Sequence, residues 1–182
     1  MGKVFDEITP ELRAWIGGQH VFFVASAPSA RDGHINCSPK GLDAFRILGP
    51  RSVGYLDLTG SGAETIAHVR ENGRLVFLFC SFSGPPKILR LHGTGEVVLP
   101  GSAEWEELRP LFPEIPGARA ILRARITRIS DSCGFGVPEY EFKEDRPTLI
   151  RWAEKKGEES LAEYRRQANA KSIDGRPAID AK

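Results

Sequence analysis

The sequence is short of most features that would announce a function directly. It has no excess of charge: 25 Lys and Arg against 24 Asp and Glu give a formal net charge of +1. No global field therefore favours nucleic acid or an anionic membrane, and neither partner is expected. No apolar run is long enough to span a bilayer. Met1-Gly2-Lys3-Val4 does not read as a secretory leader, and Asp6 stands where an acylation signal would want Ser or Thr. The three cysteines, Cys37, Cys80 and Cys133, are odd in number, widely spaced and without C-x-x-C, which favours a reduced, cytoplasmic protein over a disulfide framework. Metal spacing is missing too. Only His34 and Cys37 lie close, and on a strand they point to opposite faces, so no zinc site is expected. There is no internal repeat, and Gly60-Ser61-Gly62 lacks the third glycine of a dinucleotide fingerprint and the Gly-Lys-Ser/Thr ending of a Walker loop. Nucleotide hydrolysis and a Rossmann sheet are disfavoured.

What is present is a series of short strands. At 182 residues the chain reads as one domain, residues 1–132, with a helical extension over residues 133–182. Thr9-Pro10-Glu11 starts a short helix that Gly17-Gly18 ends. Residues 21–26 and 75–80 are apolar and partly β-branched, as expected of central strands buried on both faces. Residues 34–38 return from an Asp32-Gly33 turn, and period two puts Asn36, Ser38 and Lys40 on one side. Gly93 and Gly95 predict a bulge or sharp bend within a long strand. Ser102 caps a further helix, and residues 119–131 form the last strand, with Arg119, Arg123 and Arg125 expected to face water. Gly157 divides the extension into helices near 147–156 and 158–169. Hairpin order with internal glycines predicts a mainly β fold with helical additions (α+β), an antiparallel barrel of six or seven strands.

The densest local signal is residues 55–74, a strand, a glycine-rich turn and a helix. Ser61 is expected to cap the helix and Glu64, three residues on, to complete a capping box, with Gly73 ending the last turn. Thr59, Ser61 and two glycines ahead of free N–H groups at the positive end of a helix dipole could hold an anion. A plain capped helix after a tight turn reads the same. Lys40 and Arg90, each where a strand meets a turn or a glycine bend, are the two cations that could complete such a site. Cys37 has no base near it in sequence and reads better as a small buried residue than as a nucleophile. His92 reads better as a structural histidine than as a haem ligand.

The order of Ile35-Asn36-Cys37-Ser38-Pro39-Lys40-Gly41, residues 55–74 ending Asn72-Gly73-Arg74, and Ile88-Leu89-Arg90-Leu91-His92-Gly93 resembles the pyridoxamine 5′-phosphate oxidase-like family of FMN-binding split β-barrels, over residues 5–131. The resemblance implies a split barrel, a homodimer with flavin sites at the subunit interface, and an oxidoreductase acting on a small-molecule substrate. It implies cofactor contacts at Asn36, Ser38 and Lys40, at Thr59 and at Arg90, and Pro39 beside them with Ser61, Gly62, Glu64 and Thr65 around the helix start complete the candidate cofactor-binding set. The cofactor implied is FMN, with a deazaflavin coenzyme as the alternative enzyme and a non-enzymatic haem protein, through His92 or His68, as the other. No catalytic side chain is singled out. Glu64 and Thr65 stand where many members place basic residues to meet the phosphate, and Arg-Leu-x-Pro is missing near Ser172-Ile173-Asp174-Gly175-Arg176-Pro177. The vitamin B6 oxidase reaction itself is therefore not expected.

Overall fold

The computed structural model describes residues 2–179, so the last three residues of the expected extension, 180–182, lie outside the described residues. In chain order its elements are β1 (Val4–Phe5), α1 (Pro10–Gly17), β2 (Phe22–Ser26), β3 (Asn36–Lys40), β4 (Phe45–Gly49), β5 (Ser52–Leu58), α2 (Glu64–Asn72), β6 (Arg74–Cys80), β7 (Ile88–Val98), α3 (Ala103–Leu108), β8 (Ala118–Ser132) and α4 (Thr148–Ala168). The eight strands form one antiparallel sheet in the order β3-β2-β6-β7-β8-β5-β4, with β1 also on β8. The strand beyond the expected seven is β1, whose Val4 lies opposite Ser130. The sheet does not close, since β3 and β4 remain its edges. It is nevertheless rolled: Phe22 of β2 meets Phe45 of β4 at 5.1 Å between ring centroids although those strands are not sheet neighbours. Phe77 and Phe79 of β6 complete that aromatic cluster.

Inner-face residues of β2, β5, β6, β7 and β8 join α1 and α2 in one core. The expectation that residues 21–26 and 75–80 are buried on both faces is corrected. Val24, Phe77 and Phe79 point inward and are buried, whereas Phe23, Ala25, Val76 and Leu78 alternate outward and stay half-buried. Both faces carry apolar residues, so composition alone could not reveal the alternation.

Two local predictions from glycine hold. The pairing of β7 with β8 shifts register between His92 and Gly93, so a bulge sits there. Gly73 takes φ +71 as the left-handed end of α2. Thr9 and Ser102 cap α1 and α3 by accepting from Leu12 N–H and Trp105 N–H. In α4 Gly157 adopts φ 71 and ψ 161, breaking it into the two expected helices.

The capping box of α2 does not form. The cap position is Ala63, without a side-chain bond, and Glu64 is the first helical residue instead of the third. The reason is tertiary: the backbone from Thr59 to Gly62 is drawn off by Gly117, Arg119 and Asn169, all distant in sequence. For the bulge, a β-carbon on Gly93 would stand 2.6 Å from the Arg125 carbonyl oxygen, an immovable backbone atom. Gly93→Ala should therefore lower stability by about 1–3 kcal/mol, measured by urea unfolding; an unchanged midpoint would contradict this register.

Candidate functional site

The site is built on a charge pair under the turn after β5. Asp57 is only 2% exposed. Arg119 Nε donates to its Oδ2 at 2.7 Å, and Lys40 Nζ, across from β3, donates to its Oδ1 at 3.2 Å. Burial on its own would raise the Asp57 pKa, but Arg119 and Lys40 outweigh it and hold the carboxyl below its ordinary range. The expectation that Arg119 faces water is thus corrected: it is 5% exposed and all three guanidinium nitrogens are engaged. Its other two nitrogens donate to Asn169 Oδ1 at 2.7 Å and to the Gly62 carbonyl at 2.8 Å. Arg123, by contrast, lies at the surface, paired with Glu96 and Glu104.

The same turn is held from the C-terminal extension. Asn169 Nδ2 donates to the Gly60 carbonyl at 3.0 Å, and Arg165 Nε donates to Thr59 Oγ1 at 2.8 Å. Thr59 in turn donates, through both its N–H and its hydroxyl, to the Gly117 carbonyl at 2.8 Å. These bonds hold the turn in place and deliver α2 with no side-chain cap on its first-turn N–H groups.

Above this floor lies a cavity of about 720 Å³, a size suited to a small molecule or cofactor. Eight of the ten residues singled out from sequence line it: Asn36, Ser38, Pro39 and Lys40 from β3, and Ser61, Gly62, Glu64 and Thr65 around the start of α2. Asn36 Nδ2 donates to Thr65 Oγ1 at 2.9 Å and Ser38 Oγ to Asn36 Oδ1 at 3.1 Å, tying strand to helix. Thr59 is buried beneath the turn and does not line the cavity. Arg90 does not line it either. It stands on the outer face of β7, half-buried, and donates to Ser132 Oγ at 3.0 Å.

Sequence reasoning missed Asp57, Arg119 and the wall contributed by Leu149, Ala168, Lys171, Ser172 and Ile173. An acid within Leu56-Asp57-Leu58 and a base within Ala118-Arg119-Ala120 were the available signals, since ionised groups in apolar strand contexts are buried only when paired. The remaining wall belongs to a hairpin formed by residues 169–179. Ala178 N–H donates to the Ala170 carbonyl, Ile179 N–H to the Asn169 carbonyl, and Ser172 N–H to the Arg176 carbonyl, with Gly175 at φ 73 in the turn. Ile173 N–H reaches both carboxylate oxygens of Glu64 at 3.1 Å, which is where that side chain goes instead of into a capping box.

One further expectation changes. Cys37 is exposed, on the outward side of β3 opposite Ala25, and is not a small buried residue. His68 is fully buried in the core with Nδ1 at 2.9 Å from Ser26 Oγ, and His92 lies on the outer face of β7 beside Arg90. Neither reaches the cavity, and no lining residue among those described is His, Cys or Met, so a haem ligand is not on offer there.

The buried pair generates a prediction. Asp57→Asn leaves the Arg119 charge buried without its counter-charge and should cost about 3–5 kcal/mol at neutral pH. Because the folded Asp57 pKa is depressed below 3.8, its contribution is present above that pH and fades as pH falls through the folded value. Urea unfolding of both proteins from neutral to acid pH should show the gap narrowing; a gap independent of pH would contradict the ionised pair.

Comparison with known proteins bears on the family and the fold. A family model for pyridoxamine 5′-phosphate oxidase matches residues 8–133. The pyridoxamine 5′-phosphate oxidase family protein ustO of Aspergillus flavus is 41% identical over 199 residues, covering 96% of this chain and 77% of that one. Among solved structures, a candidate pyridoxamine 5′-phosphate oxidase from Lactobacillus delbrueckii superposes with a TM-score of 0.53 at 19% identity, covering 70% of this chain and 98% of that one. A FAD-binding protein from Mesorhizobium loti does so at 0.51 and 17%, covering 72% and 96%. At those identities the structures speak for the fold. On the family match and the 41% relative, the chain belongs to the pyridoxamine 5′-phosphate oxidase family.

Proposed function

We infer that the cavity between β3 and the start of α2 binds a flavin, FMN in our reading, and that the chain is an oxidoreductase acting on a small molecule. The observation that carries this is the donor set. Asn36, Ser38 and Lys40 lie in line on one face of β3 and look across the cavity at Ser61, Thr65 and the uncapped first turn of α2. Hydroxyls, an amide, an ammonium and helix N–H groups together suit the phosphate and heterocyclic edge of a flavin mononucleotide. The FAD-binding protein of the same fold supports a flavin on such a scaffold.

When bound, the flavin supplies the hydride or electron transfer. The protein's part is position and charge. Lys40, held by Asp57, keeps its ammonium at the β3 wall, and the Asn36–Thr65 bond keeps strand and helix at a fixed spacing. The apolar side chains of Leu42, Leu56 and Leu149 form another wall, which limits water beside a heterocycle. No lining side chain is assigned a proton-transfer role.

A homodimer fits the outer sheet face. Phe23, Val76 and Leu78 are half-buried there on neighbouring strands β2 and β6, with Pro39 and Arg90 flanking them on β3 and β7. A second copy of this chain, meeting the face by two-fold symmetry, would cover these apolar side chains. Arg90 would then lie in the interface, which accounts for its place away from its own subunit's cavity.

Freshly purified protein, or protein reconstituted with FMN, should show the paired near-ultraviolet and blue absorption bands of a bound flavin. A protein that stays colourless and does not quench added FMN fluorescence contradicts the reading. Lys40→Ala should weaken FMN binding about tenfold, as for loss of one charge-assisted contact. Leu78→Asp should yield monomers in sedimentation equilibrium; an unaltered dimer, or a wild-type monomer, would show that this face is not the interface.

A further inference from the structure

We propose that Lys171, carried into the cavity by the C-terminal hairpin and positioned there by Glu64, is the cation that receives the ligand's phosphate at the start of α2. The proposal rests on the reading that the cavity takes a phosphorylated flavin, and names the residue that replaces the basic side chains missing from the first turn of α2.

Among the described residues the cations of the cavity are three, Lys40, Arg119 and Lys171, and they are not equivalent. Arg119 is nearly enclosed, and each of its three nitrogens already donates to a protein oxygen, with Asp57 neutralising its charge. Lys40 shares Asp57 with it. Lys171 is solvent-exposed, lines the cavity with Ser61, Glu64 and Thr65, and has no carboxylate partner among the described residues. A phosphate monoester carries a charge of about −1.5 to −2 at neutral pH. One ammonium shared with Asp57 does not balance that charge; a second, unpaired ammonium beside the helix N-terminus does.

Glu64 is a mooring of the hairpin that lies close to Lys171 in the chain. A carboxylate at this point would repel a phosphate if it faced the ligand alone. Its two oxygens instead accept from Ile173 N–H, two residues along the chain from Lys171. The hairpin has further moorings. Asp174 accepts from His34 N–H at 2.8 Å and pairs with His34 Nδ1 at 2.6 Å, and Arg176 pairs with Glu71 near the end of α2 at 3.0 Å. Asn169, at its base, is fully buried and bonded to Arg119 and Gly60. A loop moored in this way loses little backbone freedom when a ligand arrives, so the segment that carries Lys171 is pre-organised. Glu64 is accordingly a positioning residue whose effect runs through the hairpin, and the residue that looked unfavourable for an anion helps to supply the charge that attracts it.

The test compares FMN with riboflavin, which differ by the phosphate, in fluorescence titrations of the full-length dimer or monomer as isolated. Lys171→Ala should weaken FMN about tenfold and leave riboflavin within about twofold. Glu64→Ala, which frees Ile173 N–H, should reproduce that loss, whereas Glu64→Gln, which keeps an oxygen acceptor, should bind FMN at least as well as the wild type. Equal loss for both flavins in Lys171→Ala, or no loss for either, overturns the proposal, and so does failure of Glu64→Gln to rescue. Inorganic phosphate provides the second arm: it should raise the melting temperature of the wild type and not of Lys171→Ala. If neither flavin binds the wild type but this phosphate effect is seen, the flavin reading falls and the Lys171 site stands. If phosphate stabilises both proteins equally, or neither, the Lys171 site falls.

Discussion

The pairing of Asp57 with Arg119 is the interaction on which the rest of the site depends. A carboxylate and a guanidinium, each nearly sealed from water, are tolerable only because each finds its partner and its remaining hydrogen bonds. Those remaining bonds are what organise the structure. Through one side chain Arg119 links β5 by Asp57, the turn before α2 by the Gly62 carbonyl, and the C-terminal hairpin by Asn169. The position of the first turn of α2, and so of its free N–H groups, is set by that three-way junction and not by a local cap.

This changes the standing of the C-terminal extension. The family match ends at residue 133, yet Arg165, Asn169 and Ile173 are bonded to Thr59, Gly60 and Glu64. The extension is packed on its own subunit's sheet domain and forms one wall of the cavity. The 41% relative aligns with 96% of the chain and therefore shares most of that extension.

Sequence reasoning recovered the parts of this structure that are local. The alternation of Asn36, Ser38 and Lys40, the caps at Thr9 and Ser102, the bulge at Gly93 and the break at Gly157 each depend on a few neighbouring residues, and all are found in the structure. What failed was non-local. Ser61 and Glu64 have the spacing of a capping box, but Arg119 and Asn169 hold the turn and Ile173 takes the carboxylate from 109 residues away. Alternation with Ala118 and Ala120 puts Arg119 on the wet face of β8; near the strand's beginning that face is covered by the extension. Arg90 matches by position in a family pattern, and the pattern does not say that its side chain stands on the outer face of β7, bonded to Ser132.

The central claim is that a flavin sits between β3 and the first turn of α2. It is tested most directly by titrating FMN into isotopically labelled protein and following backbone amide resonances. The account predicts saturable shifts at Asn36, Ser38, Glu64, Thr65 and Ile66, with the amides of α3 unmoved. Shifts confined to other surfaces, or none at FMN concentrations well above micromolar, would contradict it.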